Sequence, residues 1–571
     1  MRDPILLELV RHSLDAIVDE MALSLVKTAH SINLKSTMDI CCAICDRDGR
    51  VLVQGETLPL NIGAIPIAMK AVLGKFADDV SDGDLFILND PFHGGSHLPD
   101  FYLFKPVFLD GRHVAWSMSE AHHLDVGGLT PGGNGTDAVE IFQEGLRIPP
   151  IRLYAAHQPV AAVFDIIATN VRVPDYVLGD LRAQIAACEI GERFFLALAA
   201  RYGLDVLMES IEALLDQSEK YARAAIAAMP DGSYEFTDHL DGDGIDDAVV
   251  PIKVTLTVSG DRLVADFAGS SSRVAGAINA TMSPTCSAVY AAVRYLIPGN
   301  PPNNEGFFRP IEIRAPEGSI VNAVAPAPVA ARGLTAFRIG NVVFGALSKI
   351  APGRVFACEV GADSGISFAS TDTAGRAIVF LEFLCGSWGA RPHADGIDGC
   401  SSAFVNFANN SVELIEWEYP MVIERYGYVP DTGGAGRHRG GLALERHYRF
   451  EVDRAQLQLR TDRTRFRPYG IYDGEPGARS SSHLLRDGSV IDLPGKCKIA
   501  VQRGDVLRHQ LAGAGGWGPA SERDPAAVRE DILDGKITVE HARRHYGAAA
   551  DAIGARASAG DAFQHDYSRS S

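Results

Sequence analysis

Two polar blocks hold the residues whose types and spacing are suited to chemistry. NDPFHGGSHLPD runs over 89–100 and SEAHHLDVGG over 119–128. Together they carry His93, His97, His122 and His123, with Asp90, Asp100, Glu120 and Asp125. Four of the chain's 17 histidines thus fall in these two blocks. His97 and Asp100 are separated by two residues, which lets both side chains face one side of a turn or short helix. His122 ends a predicted strand, where the chain can deliver it to the same point. Two imidazoles and a carboxylate make an open site for a divalent metal with room for water. A cation held there lowers the pKa of bound water, supplies hydroxide near neutral pH and polarises a substrate oxygen. These donors suit Zn2+, Mn2+ or iron better than Mg2+.

Glu120 stands two residues before His122, so on a strand the two share a face. It reads as a hydrogen-bonding partner of the ligands or as a general base. His123 and Asp125 read as residues that orient ligands or contact substrate. The plain alternatives are histidines that cap turns and a Glu120 that faces solvent.

Other chemistries find little support. No GxSxG is present, and no cysteine sits in a nucleophile's context. Cys42 and Cys45 form one CxxC without a second pair, which reads as buried packing rather than a zinc or redox site. The Gly-rich segment 127–136 reads as a flexible loop and lacks the Lys-Ser/Thr ending of a phosphate loop. No GxGxxG opens a βαβ unit. Arg437, His438 and Arg439 in a Gly-dense segment read as a turn or subunit contact in preference to an anion site.

The elements that must position these residues are legible from periodicity. Apolar residues recur at helical spacing over 3–30, with Asp3 as cap and Pro4 at the first position. ICCAICD and RVLVQG form a predicted hairpin about Arg47-Asp48-Gly49. A helix is predicted over Ile62–Phe76, and strands over 84–90 and 113–120. Residues 159–229 are largely helical, and Pro230-Asp231-Gly232 marks a boundary. The pattern then turns strand-rich, mixes helix and loop over 280–350 with a Pro-rich connector at 324–328, and is again β-rich over 415–512. Two short helices follow. The expected class is α+β, multi-domain, with mixed and antiparallel sheets and packed helices. The expected units are 1–229 (metal-binding, with a helical end), 230–414 (central α+β), 415–556 (β-rich with terminal helices) and a disordered tail, 557–571.

Composition sets the broad class. Of 571 residues, 46% are hydrophobic and 22% charged, the balance of a packed globular chain. The net charge of -19 argues against a nucleic-acid or anionic-membrane surface. No apolar run reaches the ~18 residues of a membrane span, and the N-terminus lacks a signal peptide's apolar core. Nine scattered cysteines fit a reduced, cytoplasmic setting.

Several blocks in order carry a resemblance. NDPFHGGSHLPD, EAHHLDVGG, EIFQEGLRIPP, GDLRAQIAA, MPDGSYEFTDHLD, DFAGSS, TGGAGRHRGG, GAGGWG and DGKITVEHARRHYG together resemble the hydantoinase B/oxoprolinase family. Its members are the B-type subunits of ATP-dependent cyclic-amide hydrolases and related carboxylases. The resemblance covers nearly the whole chain. It implies a metal site made by an HxxD pair and a later His, which map onto His97, Asp100 and His122. It adds Asp39, just before the first hairpin strand, as a fourth ligand, and makes His93 and His123 neighbours. One departure stands out: many relatives carry a Glu near the position of Ser36.

The resemblance also implies a partner. An A-type subunit would bind ATP with Mg2+ and phosphorylate the amide oxygen, which agrees with the missing nucleotide motif here. This subunit would then open the ring of a small cyclic amide such as a lactam, hydantoin or oxoproline. Carboxylation of an enol phosphate by CO2 derived from bicarbonate is the alternative reaction. A non-catalytic scaffold for the A-type subunit is the alternative of another class.

Overall fold

The computed structural model describes residues 3–55, 58–77, 79–299, 302–361 and 363–547. The expected tail 557–571 lies outside the described residues. The fold is α+β, and the described residues form four sheets that are antiparallel except for one parallel pair, Arg262–Asp266 beside Ile311–Arg314.

The N-terminal sheet positions the site. Its seven strands run in the order Val51–Gln54, Ile40–Asp46, Arg112–His122, Asp100–Leu109, Leu85–Leu88, Ile151–Ala155 and Gln158–Pro159. The first helix, Pro4–Thr28, begins as its sequence dictates: the Asp3 carboxylate accepts from the Ile5 amide and Pro4 fills the first turn. Its apolar stripe packs with helices Pro174–Tyr202 and Leu204–Ala227 on one face of the sheet. Helix Ala64–Phe76 covers the other face. Both faces are therefore buried, and all seven residues of Ile40–Asp46 are buried with them.

Strand Asp100–Leu109 is the principal element that periodicity missed. It contains Lys105 and Pro106, which break the reading of a central strand. The register explains how Pro106 fits. Leu85–Leu88 pairs only with Tyr102–Phe104, so Pro106 lies past the end of that neighbour. Its missing N–H leaves no ladder partner unmet on that side.

A second sheet, Gly232–Leu240 to Ile311–Arg314, packs on helices Met282–Arg294 and Arg332–Ile350 in the largest core. The last two sheets share a core of their own. One is ordered Ala377–Leu384, Ser364–Thr371, Ala455–Arg460, Lys496–Val501. The other contains Met421–Val429, Ala443–Phe450, Val506–Gln510, Ser481–Arg486 and Ser489–Asp492. The expected boundary between 414 and 415 thus runs through a hydrogen-bonded sheet, because Ser367 pairs with Gln458 across it. No helix among the described residues is long and apolar enough to cross a membrane.

Candidate metal centre

The register of three neighbouring strands assembles the centre. Asp100 pairs with His122. Ile40 pairs with Ala121, and the His122 amide donates to the Asp39 carbonyl at 3.1 Å. Asp39, His122 and Asp100 therefore form one row at the end of the sheet. Cross-strand partners share a face, and so do residues two apart. The next row on that face is Cys41, Glu120 and Tyr102. Period-two geometry alone stacks two carboxylates and an imidazole above a third carboxyl.

His97 enters from the loop before strand Asp100–Leu109. Asn89 fixes that loop: its side chain donates to Leu98 and Leu146 carbonyls at 2.7 and 2.9 Å and accepts from the Ile148 amide at 2.6 Å. Gly94, at φ 100°, lets the loop pass against helix Ala64–Phe76, where a Cβ would lie 2.4 Å from the Ala68 nitrogen. The Asp100 amide then donates to the His97 carbonyl, closing a turn. His97 Nδ1 lies 2.6 Å from Asp100 Oδ2, and the His97 and His122 rings are 4.9 Å apart. Atoms of His97, Asp100 and His122 that could ligate a metal lie within 4.8 Å of one another, and all three residues are buried.

The protonation state suits a cation. Burial pushes the His97 imidazole down to about 4, with Arg332 adding to the effect. Burial and the neighbouring His97 hold His122 well below the usual range. Burial would raise Asp100, but His97 and Arg332 overcome it and hold the carboxyl below its ordinary range. Neutral imidazoles beside an ionised carboxylate are the donors that metal binding requires. His97 Nε2, His122 Nδ1 and Asp39 Oδ1 are buried and meet no protein hydrogen-bond partner. Buried polar atoms are rarely left alone, and the two nitrogens among these belong to residues of that cluster, which fits a bound group.

The other expected residues divide clearly. Asp39 is buried in the row but outside the 4.8 Å set. Burial, then the charge of Asp100, raises its carboxyl to about 8. Glu120 belongs to the centre's face: Asn61 donates to Oε2 at 2.5 Å, while Oε1 is unpartnered. Burial, then Asp100 and Asp39, push it well above the carboxylate range. His123 is not brought to the centre. Its ring packs tilted against Phe101, 4.1 Å between centroids, and its Nε2 meets Gln184 Oε1 at 2.9 Å, toward helix Pro174–Tyr202. Asp125 is spent on structure, accepting from the amides of Gly127, Gly132 and Arg172 and from the Arg172 guanidinium. His93 pairs with Asp90 and is half exposed.

Four polar residues of the centre escaped the sequence reading. Arg332 donates to Asp100 Oδ2 at 2.9 Å and to Ser96 Oγ at 2.7 Å. Asn134 lies 3.3 Å from His122 Nε2 and accepts from Arg460 at 3.0 Å. Asn61 holds Glu120. Asn134 lies in the segment expected to be a flexible loop; instead it is buried between sheets. The Pro-rich run before Arg332 was the one available signal, and it marks only a connector. Cys42 and Cys45 fall in cores on opposite faces of the sheet, as residues three apart on a strand must. Arg439 is buried against Asp398 and Asp531, so its segment is an internal turn.

The family model described as Hydantoinase B/oxoprolinase matches residues 3–520. The chain belongs to that family. It is 34% identical over 548 residues to an uncharacterized protein of Methanocaldococcus jannaschii, covering 95% of this chain and 96% of that one. It is 33% identical over 568 residues to the caprolactamase subunit beta of Pseudomonas jessenii, covering 97% of each. The crystal structure of the ATP-dependent caprolactamase from Pseudomonas jessenii superposes with a TM-score of 0.90 at 31% identity, covering 97% of this chain and 99% of that one. The nucleotide-free acetone carboxylase structure shares the fold, with a TM-score of 0.91 at 18% identity over 98% of this chain and 83% of that one.

Proposed function

We propose that this chain is the metal-bearing subunit of an ATP-dependent hydrolase of small cyclic amides. The observation that carries this reading is the buried His97, Asp100 and His122 cluster with its unpartnered nitrogens, in a chain that matches the hydantoinase B family over residues 3–520. Asp39 is assigned as the fourth ligand, from its place in the same row. When bound, Zn2+ or Mn2+ supplies Lewis acidity and acidifies water at the centre.

The protein residues do the rest. Arg332 fixes one oxygen of Asp100 and keeps that carboxyl ionised. The Asn61 amide orients Glu120, whose burial favours the protonated carboxyl and which offers Oε1 as the group that gives a proton to the departing amide nitrogen. His123 and Asp125 act as positioning residues, His123 by holding Phe101 and Gln184, Asp125 by closing the 125–132 turn. Phosphorylation of the amide oxygen belongs to an A-type partner that binds ATP. An amide is a poor electrophile, and O-phosphorylation gives it a leaving group.

The test is ATP-dependent turnover of lactams, hydantoins and 5-oxoproline by this chain co-expressed with its partner. Ring-opened product that requires ATP and is lost in His97→Ala and His122→Ala supports the reading. A carboxylated product that requires bicarbonate would replace it with the carboxylase reading. Unchanged turnover in both variants would leave only a scaffold.

A further inference from the structure

Arg460 is the exception among the fully buried arginines. Arg338 meets Asp238 and Asp462, Arg446 meets Glu382, Arg463 meets Asp238 and Arg439 meets Asp398. Arg460 has no carboxylate within 4.0 Å among the described residues. Asp39 and Asp363 attract it from further off, while Arg332 repels it. Its Nη1 donates to Asn134, its Nε meets no partner, and its plane lies over Phe383 at 5.0 Å. A guanidinium buried without a counter-charge is costly by several kcal/mol, so a fold that keeps one has a use for it.

Its position supplies the use. Arg460 and His122 share two neighbours, Asn134 and the Phe383 ring, which lies 5.6 Å from His122. Gly333 borders it: a Cβ there would sit 3.4 Å from Nη1. Two residues away on the same face of the strand, Gln458 Oε1 is likewise buried and unpartnered. Arg332 is already committed to Asp100 and Ser96, which leaves Arg460 as the guanidinium able to accept an anion beside the metal ligands.

We propose that Arg460 is the anion-holding residue of the centre and takes the phosphoryl oxygens of the activated substrate. A planar fork of N–H donors matches two oxygens of such a group. This inference rests on the proposed function, since an O-phosphorylated amide is what would bring a phosphoryl group here. Arg460 then selects phosphorylated over unphosphorylated substrate and sets the reacting carbon against the metal.

The probe is inorganic phosphate titrated into the full-length chain loaded with Mn2+, read by paramagnetic broadening of the phosphorus resonance and by calorimetry. Saturable binding is expected in the native protein, at least tenfold weaker in Arg460→Gln with Mn2+ content unchanged, and partly recovered in Arg460→Lys. Equal phosphate affinity in Arg460→Gln overturns the proposal, as does binding of acetate in place of phosphate. If Arg460→Gln does not fold, the native protein and Arg460→Lys decide: no phosphate near the Mn2+, or an unchanged affinity in the lysine variant, is the contrary result. Failure to bind Mn2+ at all sinks the metal reading instead, and calorimetry on the metal-free chain and its variants still reads Arg460.

Discussion

The Asp100 carboxylate serves His97 and Arg332 and, in the proposed function, a metal as well. Its contact with Arg332 is the one that a variant can remove without touching a ligand. Partners that orient ligands typically change metal affinity about 10–100-fold, and Arg332→Met is expected to fall in that range by competition against a chelator of known affinity. Wild-type affinity in that variant would show that Asp100 needs no support. At this scale the sequence was informative where spacing was local. His97 and Asp100 are joined by one turn, and His122 and Glu120 by the strand period. Arg332, Arg460 and Asn134 reach the centre by tertiary packing, and nothing local to their own segments signals it. His123 adjoins His122 in sequence, yet the end of the strand sends its ring to the other side.

At the scale of elements, the row Asp39–His122–Asp100 depends on strand register and on the loop that holds His97. Gly94 is the weak point of that loop. Gly94→Ala places a side chain at positive φ and against the Ala68 backbone, so a loss of more than about 1 kcal/mol is expected, with a lower Tm and reduced metal content. An unchanged Tm would contradict the packing argument. Strand Val506–Gln510 offers a test of pH. His509 is buried with Nδ1 against Ser482, and burial pushes its imidazole down to about 4. The unfolded chain takes up that proton near 6.5, so the stability from neutral His509 is complete above pH 6.5 and is lost as pH falls toward 4. Linkage gives a loss of about 2 kcal/mol between pH 7 and pH 5. Urea unfolding of wild type against His509→Gln should show that difference in slope over this window; parallel curves would contradict it. Helices and the first hairpin were readable because their periods are regular and their caps explicit. Strand Asp100–Leu109 was not, since the neighbour that tolerates Pro106 is known only once the sheet is assembled.

For the whole molecule, the buried ion network around Arg338 joins separate layers. Arg338 reaches Asp238 on the second sheet at 3.0 Å and Asp462 at 2.6 Å, and Lys496 reaches Asp462 at 3.0 Å. Burial would raise Asp238, yet Arg338 and Arg463 hold it down to about 2. Removing one partner of such a network leaves charge uncompensated, and Arg338→Met is expected to cost about 3–5 kcal/mol, measured by denaturant unfolding. A loss under 1 kcal/mol would mean the layers are held by apolar contact alone. The same long-range pairing explains why the boundary expected at 414 failed: composition shifts there, but hydrogen bonds between Ser364–Thr371 and Ala455–Arg460 cross it.

The most direct measurement is metal content of the purified full-length chain in its complex, for wild type and for the His97→Ala, His122→Ala double variant. The account predicts about one Zn2+ or Mn2+ per chain in the wild type, as a single donor set with an open position for water requires, and none in the variant, with the complex still assembled. Equal metal content in the two proteins would contradict it.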